Sequence, residues 1–287
     1  MFKDMKYIKY IVIAASLVFA ASACQKHVIE FAESSPVTGQ AQFQIIYAEP
    51  IAVNNANRID SVFVNGKLYN SIDMPQKLTV NGIIPYPNGY FVAPAGTVNL
   101  KFFRGKDADG AAKVVYEKNV NLTEKKQQVI VYNLNEDPFI LDDEYPYVTH
   151  TTGSTSTTFD TDSLVSYRFI NMLHNSDGTP YTGKLQYQYS NNSGSSYVNG
   201  DWNNLGEPIG FGEQTTRSFA VVHKTVHNSS GYQTLRFRCV DPATGETVSG
   251  TTDYWTAYIG RVNTHMLRGR RGGSPASGYT QFINNVQ

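Results

Sequence analysis

Cysteine is scarce here, with only Cys24 and Cys239 in 287 residues. Two thiols are too few for the multi-bridge disulfide framework that staples small secreted domains. An excess of charge is missing too, with 24 Lys and Arg against 24 Asp and Glu. Residues 24–150 carry 11 basic and 14 acidic side chains, and residues 151–287 carry 10 and 9. Neither half is basic enough for nucleic acid to be a partner. Tryptophan occurs twice, and long apolar stripes of helical period are lacking. No Gly-x-Ser-x-Gly elbow occurs. The glycine pair Gly210 and Gly212 in "GFGEQTT" has no helical pattern behind it, so it is no phosphate loop. No enzyme and no cofactor are expected. What is plentiful is tyrosine, at 19, and glycine, at 23. That composition suits short strands joined by turns, as in sandwiches and barrels.

The first segment answers the question of Cys24. Lys3, Lys6 and Lys9 are followed by an uncharged run from Ile11 to Ala20, then by Ala21, Ser22, Ala23 and Cys24. Positive, apolar, small is the order of a secretory signal peptide. The run from Tyr10 to Cys24 is shorter than the ~20 residues a helix needs to cross a bilayer, which argues against a transmembrane anchor. The segment resembles the bacterial lipoprotein signal, although Ala21 stands where leucine is usual. That resemblance implies cleavage after residue 23 and acylation of Cys24. Each buried CH₂ of such chains contributes ~0.8 kcal/mol, so two or three chains hold durably. The other use of Cys24 would be a disulfide to Cys239. Cys239 instead follows Leu235 and Phe237 on the apolar side of an alternating run, where a free thiol acts as a small hydrophobe.

After a polar tether, residues 24–39, period-two runs begin. Ala41, Phe43, Ile45 and Tyr47 share one face of "AQFQIIY". In "SVFVNGKLYN" two strand-like runs flank Asn65-Gly66, the pair suited to a two-residue hairpin turn. Val98, Leu100 and Phe102 align further on, and "KVVYEKNVNL" and "QQVIVYNL" follow. "VTHTTGSTSTTFDTDS", His150 aside, is almost all Thr, Ser, Gly and Asp, with too little apolar surface to pack, and residues 146–162 read as a linker. A second series then starts, with Val165, Tyr167 and Phe169, then Leu185, Tyr187 and Tyr189. "AQFQIIYAEP" matches "VSYRFINMLHN" in order, "IDSVFVNGK" matches "GKLQYQYS", and "QQVIVYNL" is paired with "YWTAYIGRV". A tandem duplication is expected. The segments are a signal peptide (1–23), a lipidated tether (24–39), a first β-sandwich (40–145), the linker, and a second β-sandwich (163–287).

"IIYAEP", "IDSVFVNG" and "YFVAPAGTVNLKF" together resemble the extracellular β-sandwich repeats of uncharacterised function found in bacterial surface lipoproteins, especially of the Bacteroidetes type. The match covers residues 40–135, and 163–265 more loosely, where the Asn-Gly and "PAG" features are missing. The resemblance implies an immunoglobulin-like sandwich with no known catalytic residues. It places the chain in the cell envelope, at the outer membrane, with the facing open. The triplets at Asp60-Ser61-Val62 and Asp162-Ser163-Leu164 resemble the O-glycosylation acceptor of such bacteria, making Ser61 and Ser163 candidates.

Other motifs carry less chemistry. His223 and His227 are four apart, but their segment reads as strand then loop and offers no third ligand. Asp142, Asp143 and Glu144 lack the spacing of a calcium loop and read as a solvated turn. The cluster Arg268, Arg270 and Arg271 reads as a solvated loop. Tyr197 and Trp202 stand in a long polar loop and are the candidate ligand contacts, since flat rings stack sugars or grip partner chains. The sequence thus points to a lipid-anchored, non-enzymatic binding or structural module. Its partners are the membrane through the lipid and either a polysaccharide or another envelope protein. A glycan-binding uptake lipoprotein and a pilus or adhesin subunit are the alternatives.

Overall fold

Every period-two run named above becomes a strand in the computed structural model, which describes residues 38–71, 74–75, 77–85, 89–143, 163–190, 202–222, 232–248, 250–258 and 261–285. The first half holds β1 (Gln40–Tyr47), β2 (Ser61–Val64), β3 (Lys67–Leu68), β4 (Asn70–Ser71), β5 (Met74–Pro75), β6 (Ile83–Ile84), β7 (Phe91–Pro94), β8 (Gly96–Lys106), β9 (Ala112–Leu122), β10 (Lys126–Val131) and β11 (Phe139–Asp142). The second holds β12 (Ser163–His174), β13 (Gln186–Ser190), β14 (Asn203–Asn204), β15 (Ser218–Val222), β16 (Tyr232–Val240), β17 (Asp253–Tyr258), β18 (Arg261–Arg270) and β19 (Gly278–Asn285). The protein is all-β, with no helix among the described residues.

In the first half, one sheet runs β11-β10-β1-β6 with β7 also on β1, and the other runs β3-β2-β8-β9. The second half has β15-β12-β18-β19 and β14-β13-β16-β17. The two halves therefore repeat one strand order, with β1, β2, β8, β9, β10 and β11 matched by β12, β13, β16, β17, β18 and β19. The likeness extends to direction: β1 and β10 pair parallel, and so do β12 and β18, while the other strand pairs are antiparallel. The partner of β10 is thus β18, one strand beyond most of the "YWTAYIGRV" run matched to it on sequence. Residues 254–258 of that run lie in β17, which matches β9. The Asn65-Gly66 turn forms as expected, with φ of +49° and +73° joining β2 to β3.

Each half encloses a core between its two sheets. Ala41, Phe43, Ile45 and Tyr47 of β1 meet Val98, Leu100 and Phe102 of β8. Val165, Tyr167 and Phe169 of β12 meet Tyr187 and Tyr189 of β13 and Leu235, Phe237 and Cys239 of β16. A third cluster joins the halves: Ile46, Ile130, Ile170, Met172, Met266 and Phe282, with Tyr132, Phe139 and Phe211 packed against it. The parallel pair β1/β10 and the parallel pair β12/β18 face each other there, so these four strands bury both of their sides. Gly212 lies at this seam with φ of +76°, and a Cβ on it would run into the Phe139 ring. Residues 38–287 consequently cluster as one unit.

The polar end of the seam is an ion network. Asp143 Oδ1 accepts from Arg168 Nη2 at 2.6 Å and from Arg217 Nη2 at 3.3 Å, with side-chain exposures of 0, 3 and 8 %. Its Oδ2 accepts from Gln128 Nε2 at 3.2 Å and from the Tyr90 hydroxyl at 3.1 Å. Arg168 also donates to Gln128 Oε1 and to the Asp142 carbonyl. The solvated turn expected at Asp142–Asp143 is thus corrected. Asp142 closes β11 and pairs with Lys125 at the surface, whereas Asp143 is buried. The arginine cluster is corrected likewise for two of its three members, while Arg271 is exposed in a turn as expected. Arg268 and Arg270 belong to β18, and their Nε groups donate to Thr280 and to the Pro50 carbonyl.

Candidate functional site

Strand β16 alternates, so Leu235, Phe237 and Cys239 enter the core while Thr234, Arg236 and Arg238 face outward. Across the ladder Arg236 stands opposite Tyr254 of β17 and Arg238 opposite Gln188 of β13. Trp202, just ahead of β14, lies against this outer face. Its ring centroid is 4.2 Å from the Arg238 guanidinium carbon and 5.7 Å from that of Arg236. Arg236 is in turn 5.1 Å from the centroid of Tyr254. The result is a row, Tyr254, Arg236, Trp202, Arg238, in which rings and guanidinium groups alternate.

Hydrogen bonds hold the row in place. Arg238 Nε donates to Gln188 Oε1 at 2.8 Å, and Gln188 Nε2 donates to Asn204 Oδ1 at 2.8 Å. Arg238 Nη1 reaches Thr247 Oγ1 at 3.3 Å. A ring over a guanidinium gains ~0.5–1 kcal/mol at exposed sites. The indole is thereby oriented rather than left to rotate. Tyr254 is 52 % exposed, and Trp202 is half-buried. Such a face can stack flat ligand surfaces and donate hydrogen bonds beside them.

Of the residues expected from the sequence, Trp202 takes part in this row, while Cys24 and Tyr197 lie outside the described residues. Ser61 opens β2 in register with Phe103, half-buried on the outer face of its sheet. Ser163 opens β12 opposite Val222. His223, His227 and Glu144 are also outside the described residues. No group of three His, Cys, Asp or Glu among the described residues could hold a metal ion. Cys239 is buried, its sulfur 3.1 Å from the Tyr279 hydroxyl, and burial pushes its thiol pKa well up, so it is no nucleophile. Sequence reasoning missed Arg236, Arg238 and Tyr254. Their signal lies in the polar positions of "YQTLRFRCV", whose apolar counterparts alone drew notice.

The fold defines a class, an all-β protein of two paired-sheet halves joined through a common seam. No protein-family model matches the chain, and comparison with curated proteins finds no match. Two solved structures align over most of its length. One, described as a candidate cell adhesion protein of Bacteroides uniformis ATCC 8492, is 9 % identical, with 88 % of this chain and 100 % of that chain covered and a TM-score of 0.24. The other, described in the same way for Bacteroides fragilis NCTC 9343, is 9 % identical, covering 86 % and 98 %, with a TM-score of 0.20. Similarity at that level carries no argument about function.

Proposed function

We propose that this chain is a lipid-anchored, non-enzymatic binding module of the bacterial cell envelope, formed from two immunoglobulin-like halves related by tandem duplication. The repeated strand order, parallel first and next-to-last strands included, supports the duplication. The contact face is the outer surface of β13, β14, β16 and β17. The observation that carries this is the Tyr254–Arg236–Trp202–Arg238 row on the outer sheet face. Rings braced by cations suit a glycan, whose sugar faces stack on aromatics while its hydroxyls meet the arginine and amide groups.

Two experiments test the reading. Trp202→Ala and Tyr254→Ala should each weaken retardation on polysaccharide affinity gels. A contact residue of this kind is worth about 1–2 kcal/mol, roughly tenfold in Kd. Unchanged retardation in both variants would remove this face as the contact. Cys24→Ser should release the protein from the envelope fraction, because the acyl chains supply the membrane affinity. Continued sedimentation of a Cys24→Ser product cut at the same place would end the lipid-anchor reading.

A further inference from the structure

At the end of the seam opposite the Asp143 network, the carboxyl ends of β1, β10, β12 and β18 converge on a cleft of about 310 Å³. Both halves line it. Glu49 and Pro50 follow β1, Tyr132 and Glu136 follow β10, His174 ends β12, and Arg270 ends β18.

The polar groups are held in set directions. His174 is only 2 % exposed. Its Nδ1 faces the Met172 carbonyl at 3.0 Å and so carries the proton, which leaves Nε2 as an acceptor with no described hydrogen-bond partner, on a ring that lines the cleft. The ring is braced by Phe211, at 4.9 Å between centroids. Arg270 is fixed by Nε donating to the Pro50 carbonyl at 3.2 Å, and its terminal nitrogens have no described partner. Gly178 gives that guanidinium room: its φ is +89°, and a Cβ there would come within 3.2 Å of it. Glu49 accepts from the Tyr47 hydroxyl, which itself takes Arg104 Nη1 at 3.3 Å. Tyr132 stacks on Phe139 at 4.8 Å and is thereby held as a wall.

Carboxylates and a bare imidazole nitrogen demand donors, while the guanidinium demands acceptors. An anion would satisfy Arg270 and face two carboxylates. A simple cation would satisfy the carboxylates and leave Arg270 without a partner. Hydroxyl groups both donate and accept, so several on one small frame can meet all of these groups at once. A tyrosine ring gives the carbon face of such a frame a place to rest.

We propose that this cleft binds a neutral saccharide unit, with Glu49, Glu136 and His174 accepting from its hydroxyls, Arg270 donating to them, and Tyr132 as the apolar wall. The site is separate from the outer face of β16 and does not depend on it.

The probes are glucose, galactose, mannose and N-acetylglucosamine, with ethanolamine as a cation and glycine as a zwitterion, observed by saturation-transfer NMR on the full chain. At least one sugar should bind, with neither ethanolamine nor glycine binding more tightly. Glu136→Gln, at an exposed position, and Glu49→Gln should each weaken the sugar roughly fivefold, the difference between a hydrogen bond to a charged acceptor and one to the amide oxygen that replaces it. Repeated in a Trp202→Ala background, where the outer-face contact is removed, the sugar signal should persist and still weaken on adding Glu136→Gln, which separates a failure here from a failure of the outer-face reading. If Glu49→Gln does not fold, Glu136→Gln decides alone. Silence from all four sugars, tighter binding of ethanolamine or glycine, or full sugar binding in Glu136→Gln would overturn the proposal.

Discussion

Asp143→Ala is expected to lower the unfolding free energy by about 3–5 kcal/mol, the usual loss when one member of a buried ion pair is removed. The reason lies in what remains. Arg168 and Arg217 stay where they are, in a seam that is 3 and 8 % exposed at those side chains, with their carboxylate gone. Gln128 and Tyr90 lose an acceptor at the same time. For a unit of this size the change corresponds to a fall in Tm of roughly 10 °C. Asp142 is the internal control. Its pair with Lys125 is about half exposed on both sides, so Asp142→Ala should shift stability by less than about 1 kcal/mol. Thermal and urea unfolding of the two variants measure the contrast. Equal small shifts would show that the halves are not held through this carboxylate.

Acid should destabilise the fold below pH 6.5, and His265 should carry a large part of the loss. Its ring is enclosed by Tyr167, Tyr187, Phe237, Trp255 and Tyr279, at centroid distances from 4.7 to 6.2 Å. Nδ1 meets the Tyr187 hydroxyl, and Nε2 is buried with no described partner. Burial lowers its pKa from 6.5 to about 3, because the enclosed ring cannot be solvated as a charged imidazolium. The neutral form is therefore the folded form. Its contribution is complete above pH 6.5 and drains away as pH falls from 6.5 toward 3, by about 1.4 kcal/mol per pH unit. His174, lowered by burial to about 4, adds to the loss over the upper part of that window. By pH 4.5 each histidine accounts for about 2–3 kcal/mol. His265→Phe keeps an aromatic ring in the pocket and removes the proton. It should be less stable at pH 7.5 by about 1–3 kcal/mol for the Tyr187 hydroxyl left alone, yet its stability should fall more gently toward pH 4.5. A profile with the wild-type slope would show that His265 does not titrate on unfolding.

Much of the strand pattern is legible in the amino-acid sequence, because a strand with one side in a core writes its burial into alternate residues. Phe43 and Ile45, Leu100 and Phe102, and Phe237 and Cys239 are such cases, and the Asn65-Gly66 turn needs only its own backbone angles. The seam is illegible for the opposite reason. On β1, β10, β12 and β18 both sides are buried, and the second side is built from Gln44, Gln128, Arg168 and Thr264 as much as from Ile46, Ile130 and Ile170. Polar residues at alternate positions look like a solvated face until another sheet covers them. Asp143 misleads in a related way, since its acidic neighbours suggest a solvated turn until Arg168 and Arg217 enclose it. Trp202 stands out as a ring in a polar segment, but the arginines beneath it come from a strand more than thirty residues away, and only pairing in register brings them under it.

By itself, then, the chain determined its β character, the inward faces of its strands, its tight turns and the polar character of its connections, all of which depend on residues near one another in sequence. The tertiary structure alone decided that two halves share a buried seam, that a buried carboxylate sits between two arginines there, and that rings and cations alternate along one outer sheet. Those features depend on which distant segments meet, and pairing between distant segments is set by the packing of the whole rather than by any local pattern.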